Sequence, residues 1–156
     1  MPVESTEDLL QAMLAHCDAQ DIIIQAAAPA DYRFEAVSDR KLKKQAGEAL
    51  HLTLVENPDV AKTVAERKRA GQTLIGFAAE TNDALDNARE KLKRKGLDMI
   101  VLNDVTQPGA GFHVDTNRVT IVSKDGESAL PLMSKRELAD RILNDVVALI
   151  EQGERV

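Results

Sequence analysis

Cysteine is nearly absent from this sequence: Cys17 is the only one in 156 residues. That excludes an internal disulfide and any zinc site built from several thiolates. Tryptophan is missing, and one tyrosine and three phenylalanines make up the aromatics. With a net charge of -6, the chain lacks the basic, aromatic-interleaved composition of a general nucleic-acid binder. No apolar run approaches the roughly 20 residues that span a bilayer. The opening MPVESTEDLL has no basic segment, apolar stretch and small-residue cleavage site, so it does not read as a secretory signal. A cytoplasmic protein that enters no membrane is the expectation. Two familiar phosphate cradles are also missing, the GxxxxGK(S/T) loop and a GxGxxG turn after a strand. Gly109, Ala110 and Gly111 follow a strand, but no helix opens behind them, so they read as a conformational turn. His16, His51 and His113 are scattered without ligand spacing and read as surface or turn residues.

What is present suits one soluble globular domain: 44% of residues are hydrophobic and 29% charged. Ser5 or Thr6, followed by Glu7 and Asp8, opens a predicted helix over 5–19, where the acids complement the helix dipole. Cys17 shares a face with Leu9, Leu10, Met13 and Leu14 in that pattern, which reads as a buried structural thiol rather than a nucleophile. DIIIQAAA, 21–28, reads as a buried strand, and LHLTLV, 50–55, as a half-buried one. The stretch between them, 29–49, is charged and aperiodic, and is expected to be a mobile flap. Asn57 and Pro58 signal a helix start, with Asn57 as cap, for a helix over about 58–70. TLIGFAAE (73–80) and LDMIVLND (97–104) are further strands around a helix over 83–95 that Gly96 can end. RVTIVS and SALPLM flank Asp125-Gly126 as an antiparallel hairpin. Ser134 and Glu137 have capping-box spacing ahead of a last helix whose apolar face carries Leu138, Ile142, Leu143, Val146, Val147 and Ile150.

Strands alternating with helices predict an α/β fold, a three-layer Rossmann-like domain with a mainly parallel sheet and a C-terminal antiparallel hairpin. Ligands of such sheets bind beyond the carboxyl ends of the strands, which singles out 26–32, 55–58, 76–81 and 102–105. In AAAPADY, Ala26, Ala27 and Ala28 allow a flat ligand to approach the backbone, and Asp31 can hold ribose hydroxyls or a metal-bound water. Tight strand packing followed by a solvated acid explains the same letters. KLKKQ, Lys41 to Gln45, suits either closure over phosphates or a solvated charge run. AREKLKRKG packs five positive charges into seven residues, with Lys91 and Lys95 four apart on one face. They can serve an anion, or they can simply complement the C-terminal end of the helix dipole.

Taken in order, AAAPADY, KLKKQ, LVENPDV, GFAAET, AREKLKRKGLD, LNDVTQPGAGF and LPLMSKRELADRIL resemble the phosphopantothenoylcysteine synthetase family over about residues 3–152. The resemblance implies a ligase in coenzyme A biosynthesis that uses CTP and Mg²⁺ to activate 4'-phosphopantothenate as an acyl-cytidylate, which cysteine then attacks. It implies nucleotide contacts at Ala26, Ala27, Ala28, Asp31, Val55, Glu56, Asn57, Pro58 and Phe77, phosphate contacts at Lys91 and Lys95, and a catalytic flap lysine at Lys41. Metal ligands are not implied. A homodimer and a fused flavin-dependent decarboxylase are implied partners. Glu56 and Pro29 depart from the family pattern, where lysine and a small aliphatic residue are frequent. Family members also carry a Gly-rich segment after an earlier strand, ahead of the part matched here, so a single ligase domain over 1–156 without that segment is the expectation.

Overall fold

The computed structural model describes residues 1–44, 47, 49–80, 83–105, 109 and 114–153. Gln45, Thr81, Ala110, Gly111 and His113 lie outside the described residues. In chain order the elements are α1 (Thr6–His16), β1 (Ile22–Gln25), β2 (Tyr32–Phe34), β3 (Leu54–Glu56), α2 (Val60–Arg67), β4 (Thr73–Glu80) and α3 (Ala84–Lys95). They continue with β5 (Met99–Asp104), β6 (Thr116–Asn117), β7 (Val119–Ser123), β8 (Gly126–Ala129), β9 (Met133–Ser134) and α4 (Lys135–Gly153).

Five strands form the central sheet in the order β1-β4-β5-β7-β8. β1, β4 and β5 run parallel, and β7 and β8 add the antiparallel hairpin. Leu10, Cys17, Ile23, Val60, Val64 and Leu74 seal α1 and α2 onto β1 and β4. Next to them Ala78, Ala88, Leu92, Ile100, Leu102 and Val122 seat α3. α4 covers the opposite face, where Leu138, Ile142 and Val146 meet Ile75, Met99, Val101, Val119 and Ile121. The result is the three-layer Rossmann-like domain expected from the alternation of patterns.

Local signals explain most boundaries. The Ser5 hydroxyl accepts from the Asp8 amide while the Asp8 carboxylate accepts from the Ser5 amide, a reciprocal cap. Ser134 and Glu137 repeat the arrangement ahead of α4. Gly96 ends α3 with φ 65, a left-handed conformation that glycine adopts without strain. Cys17 is 4% exposed, and burial pushes its thiol up from the ordinary value, as suits a structural cysteine.

Four expectations are corrected. Asp59, not Asn57, caps α2, because its carboxylate accepts from the Lys62 amide while Asn57 is engaged elsewhere. The half-buried strand over 50–55 is displaced to Leu54–Glu56, with Leu50, Leu52 and Leu54 exposed, because it pairs with β2 in a separate two-stranded ribbon instead of joining the sheet. The hairpin loop is Lys124-Asp125, since Ser123 pairs with Gly126, and its second strand stops at Ala129 ahead of Pro131, which has no amide for the ladder. The apolar face of α4 is narrower than its pattern, since Leu143 and Val147 are exposed.

Candidate functional site

A cavity of ≈ 300 Å³ opens where β1 and β4 end. One wall is the turn after β1, including Ala27, Ala28 and Asp31. The second is the start of α2, from Asn57 to Ala61, and α3 supplies Lys91 and Lys95. Gly76 helps to form the floor, where a Cβ would lie 2.8 Å from Leu97 Cδ1, so a larger residue there would push on the leucine that closes the bottom. A second cavity, ≈ 620 Å³, shares Ala27, Ala28, Pro29, Ala30 and Asn57 and continues toward the start of α1.

Asn57 clips the two walls together. Its Nδ2 donates to the Ala30 carbonyl (2.8 Å), and its backbone amide donates to the Asp31 carbonyl (2.8 Å). Arg33 reaches across from β2 to the Glu56 carbonyl (2.6 Å) and, at 3.4 Å, to Asn57 Oδ1. These bonds set the shape of the turn after β1. They also account for the loss of Asn57 as a cap, since its side chain is spent on holding the loop.

The cavity carries charges of both signs. Lys91 and Lys95 bring two ammonium groups from one helical face, and the N-terminal end of α2 adds the partial positive charge of its free amides. Both lysines are paired, Lys91 Nζ with Glu80 Oε1 and Lys95 Nζ with Asp59, at 3.2 Å from Oδ1 and 3.0 Å from Oδ2. Asp31 also lines the cavity, and its carboxylate has no hydrogen bond or ion pair among the described residues.

Of the residues singled out in the sequence, Ala27, Ala28, Asp31, Asn57, Pro58, Phe77, Lys91 and Lys95 line the same cavity. Phe77 lines it from within β4, between Gly76 and Ala78, and its side chain is 43% exposed. Ala26, Val55 and Glu56 do not line it, the last two because β3 belongs to the ribbon. Lys41 is exposed in the segment after β2 and likewise does not line it. Of the four stretches at strand ends, 102–105 stays apart, and Leu102 lines another cavity of ≈ 460 Å³ with Asp83, Asp86 and Arg118.

Sequence reasoning missed Gln25, Arg33, Asp59 and Glu80. Gln25 lines the cavity with its Oε1 buried and unpartnered among the described residues. The rule of strand ends reaches Glu80 and stops one residue short of Gln25. A carboxylate shortly after Asn-Pro was the available signal for Asp59. Among the described residues no three His, Cys, Asp or Glu side chains converge on a metal site, and no helix is long and apolar enough to cross a membrane.

The fold and the cavity at its strand ends place the chain in the class of Rossmann-like α/β domains. The chain belongs to the family of the DNA/pantothenate metabolism flavoprotein C-terminal domain, whose model matches residues 1–150. It is 48% identical over 157 residues to the coenzyme A biosynthesis bifunctional protein CoaBC of Bacillus subtilis, covering 99% of this chain and 38% of the relative. Against CoaBC of Escherichia coli K12 it is 41% identical over 146 residues, covering 92% of this chain and 36% of the relative. A solved crystal structure of the C-terminal domain of CoaBC superposes with a TM-score of 0.77 at 36% identity, covering 97% of this chain and 66% of that one. The chain therefore spans less than two fifths of the length of these two curated relatives.

Proposed function

We propose that this chain is the nucleotide-binding ligase part of a coenzyme A biosynthesis enzyme, joining 4'-phosphopantothenate to cysteine at the expense of CTP. The observation that carries this is one cavity, at the carboxyl ends of β1 and β4, lined by Asp31, Asn57, Lys91 and Lys95, in a chain 48% identical to a relative named for coenzyme A biosynthesis.

The chemistry proceeds in two steps. The carboxylate of 4'-phosphopantothenate attacks the α-phosphorus of CTP, forming the acyl-cytidylate and releasing pyrophosphate. The amino group of cysteine then attacks the acyl carbon, loses a proton and expels CMP. Negative charge moves onto pyrophosphate in the first step, and Lys91, Lys95 and the N-terminal end of α2 are the groups of this chain suited to stabilise it. Backbone groups of Ala27 and Ala28 receive the flat base, while Ala26, Val55 and Glu56 support the loop and ribbon behind it. Lys41 arrives with the segment after β2 and serves the second step. Bound Mg²⁺ would neutralise the triphosphate and polarise it. The residues fit an ion that enters with the nucleotide: Asp31 offers a carboxylate with no partner among the described residues, and Mg²⁺ characteristically takes one or two carboxylates together with substrate phosphates and water.

The test is to incubate the chain with CTP, Mg²⁺, 4'-phosphopantothenate and cysteine and to measure pyrophosphate. Substrate-dependent release is expected. Lys91→Ala is expected to weaken CTP binding roughly tenfold, as measured by calorimetry, through loss of a charge-assisted contact. An unchanged CTP affinity would remove Lys91 from the site. CTP binding without pyrophosphate release would instead make the chain a non-catalytic nucleotide-binding module.

A second copy of the chain and a flavin-dependent decarboxylase region are the partners in this proposal, and the cytoplasm is its compartment. The β2–β3 ribbon and the segment leading into β3 support the second copy, since Tyr32, Phe34 and Leu54 in the ribbon and Leu50 and Leu52 ahead of it are apolar and exposed. Sedimentation at micromolar concentration should show a dimer; a monomer would discard it.

A further inference from the structure

The two cavity lysines hold their carboxylates in different ways. Asp59 has a second duty, because its Oδ1 accepts the Lys62 amide (3.1 Å), capping α2, and also accepts from Lys95 Nζ (3.2 Å), which lies 3.0 Å from Oδ2. Swinging that carboxylate away would uncap the helix. Among the described residues Glu80 caps no helix. It ends β4, pairs with Lys91, and has a long contact from Asn87 Nδ2 at 3.4 Å. The Glu80 side chain is 16% exposed and that of Lys91 35%, so the pair is only partly screened by solvent.

We propose that Glu80 is a positioning residue that holds Lys91 as an exchangeable counter-ion, whereas Lys95 stays anchored to the α2 cap. This deepens the proposed function and rests on the cavity being a nucleotide site. A polyphosphate entering the cavity takes the Lys91 ammonium out of the Glu80 pair, and Lys95 remains a stationary positive pole beside Asp59. Glu80 thereby keeps Lys91 at the cavity wall and lowers the affinity for any anion that must compete for it. No covalent step is involved; one ion pair is traded for another.

Two ligands, CTP and inorganic tripolyphosphate, are measured by calorimetry on wild type, Glu80→Gln, Lys91→Ala and the double variant, with thermal melts to establish that each is folded. Glu80→Gln is expected to bind both ligands roughly threefold to tenfold more tightly, the scale of a partly exposed ion pair. That gain should vanish in the Lys91→Ala background, which a merely structural role for Glu80 would not produce. A folded Glu80→Gln protein with unchanged or weaker binding would overturn the inference. So would a gain that survives without Lys91, or the absence of saturable tripolyphosphate binding in every variant. If wild type binds tripolyphosphate but not CTP, the nucleotide assignment fails while the exchange stands. If wild type binds CTP, Lys91→Ala weakens it and Glu80→Gln leaves it unchanged, the exchange alone fails.

Discussion

Lys41→Gln is expected to cut overall ligation by roughly 100-fold or more while CTP affinity stays within about twofold of wild type. The split follows from position. Lys41 is exposed and does not line the cavity, so in the proposed reaction its ammonium is expected to contribute little to nucleotide affinity. A group that engages only as the reaction proceeds lowers the barrier without strengthening ground-state binding. Glutamine keeps the length and polarity and removes the charge. With cysteine attack slowed and activation intact, acyl-cytidylate should accumulate and be recovered after acid quench. Normal turnover would reject the role, and a parallel loss of CTP affinity would move Lys41 into the binding site proper.

The second large effect is on stability. Asp98→Ala should destabilise the fold by about 2–4 kcal/mol, from the loss of a charge-assisted hydrogen bond and the stranding of its partners. The Asp98 carboxylate accepts from the Leu74 amide (2.7 Å) and from Lys68 Nζ (2.6 Å), and the Asp98 amide donates to the Leu74 carbonyl (2.9 Å). It therefore completes the hydrogen bonding of β4 just before β5 begins, at a residue whose side chain is fully buried. Alanine leaves the Leu74 amide without an acceptor beneath α2 and leaves the Lys68 ammonium, whose side chain is 20% exposed, without its partner. Asp98→Asn keeps one acceptor oxygen and should recover more than half of the loss in urea unfolding. Equal stability of Asp98→Ala and wild type would show that water replaces the carboxylate at no cost.

β4, α3 and β5 were legible because each carries an unambiguous signal: an apolar run of strand length, a charged helical pattern and a glycine stop at Gly96. The rule of strand ends led to Ala27, Ala28 and Asp31, since parallel strands place their outgoing loops on one edge. The ribbon was not legible. β2 is three residues long and exposed throughout, so it has no core face to impose a period, and it pulls β3 away from the sheet that its alternating leucines suggested. The cap of α2 was misread for a related reason, because both Asn57 and Asp59 have the chemistry of a cap and only the neighbouring Ala30 carbonyl decides between them.

By itself, then, the order of apolar and charged residues determined the α/β class, the extents of β4 and α3 and the placement of Lys91 and Lys95 on one helical face, because these depend on local periodicity and on backbone preferences of single residues. Tertiary structure alone decided that Glu80 and Asp59 neutralise those lysines, that Asn57 clips two loops together, and that Lys41 stands outside the cavity. Those facts depend on distances between segments far apart in the chain, and no local pattern of side chains encodes such a distance.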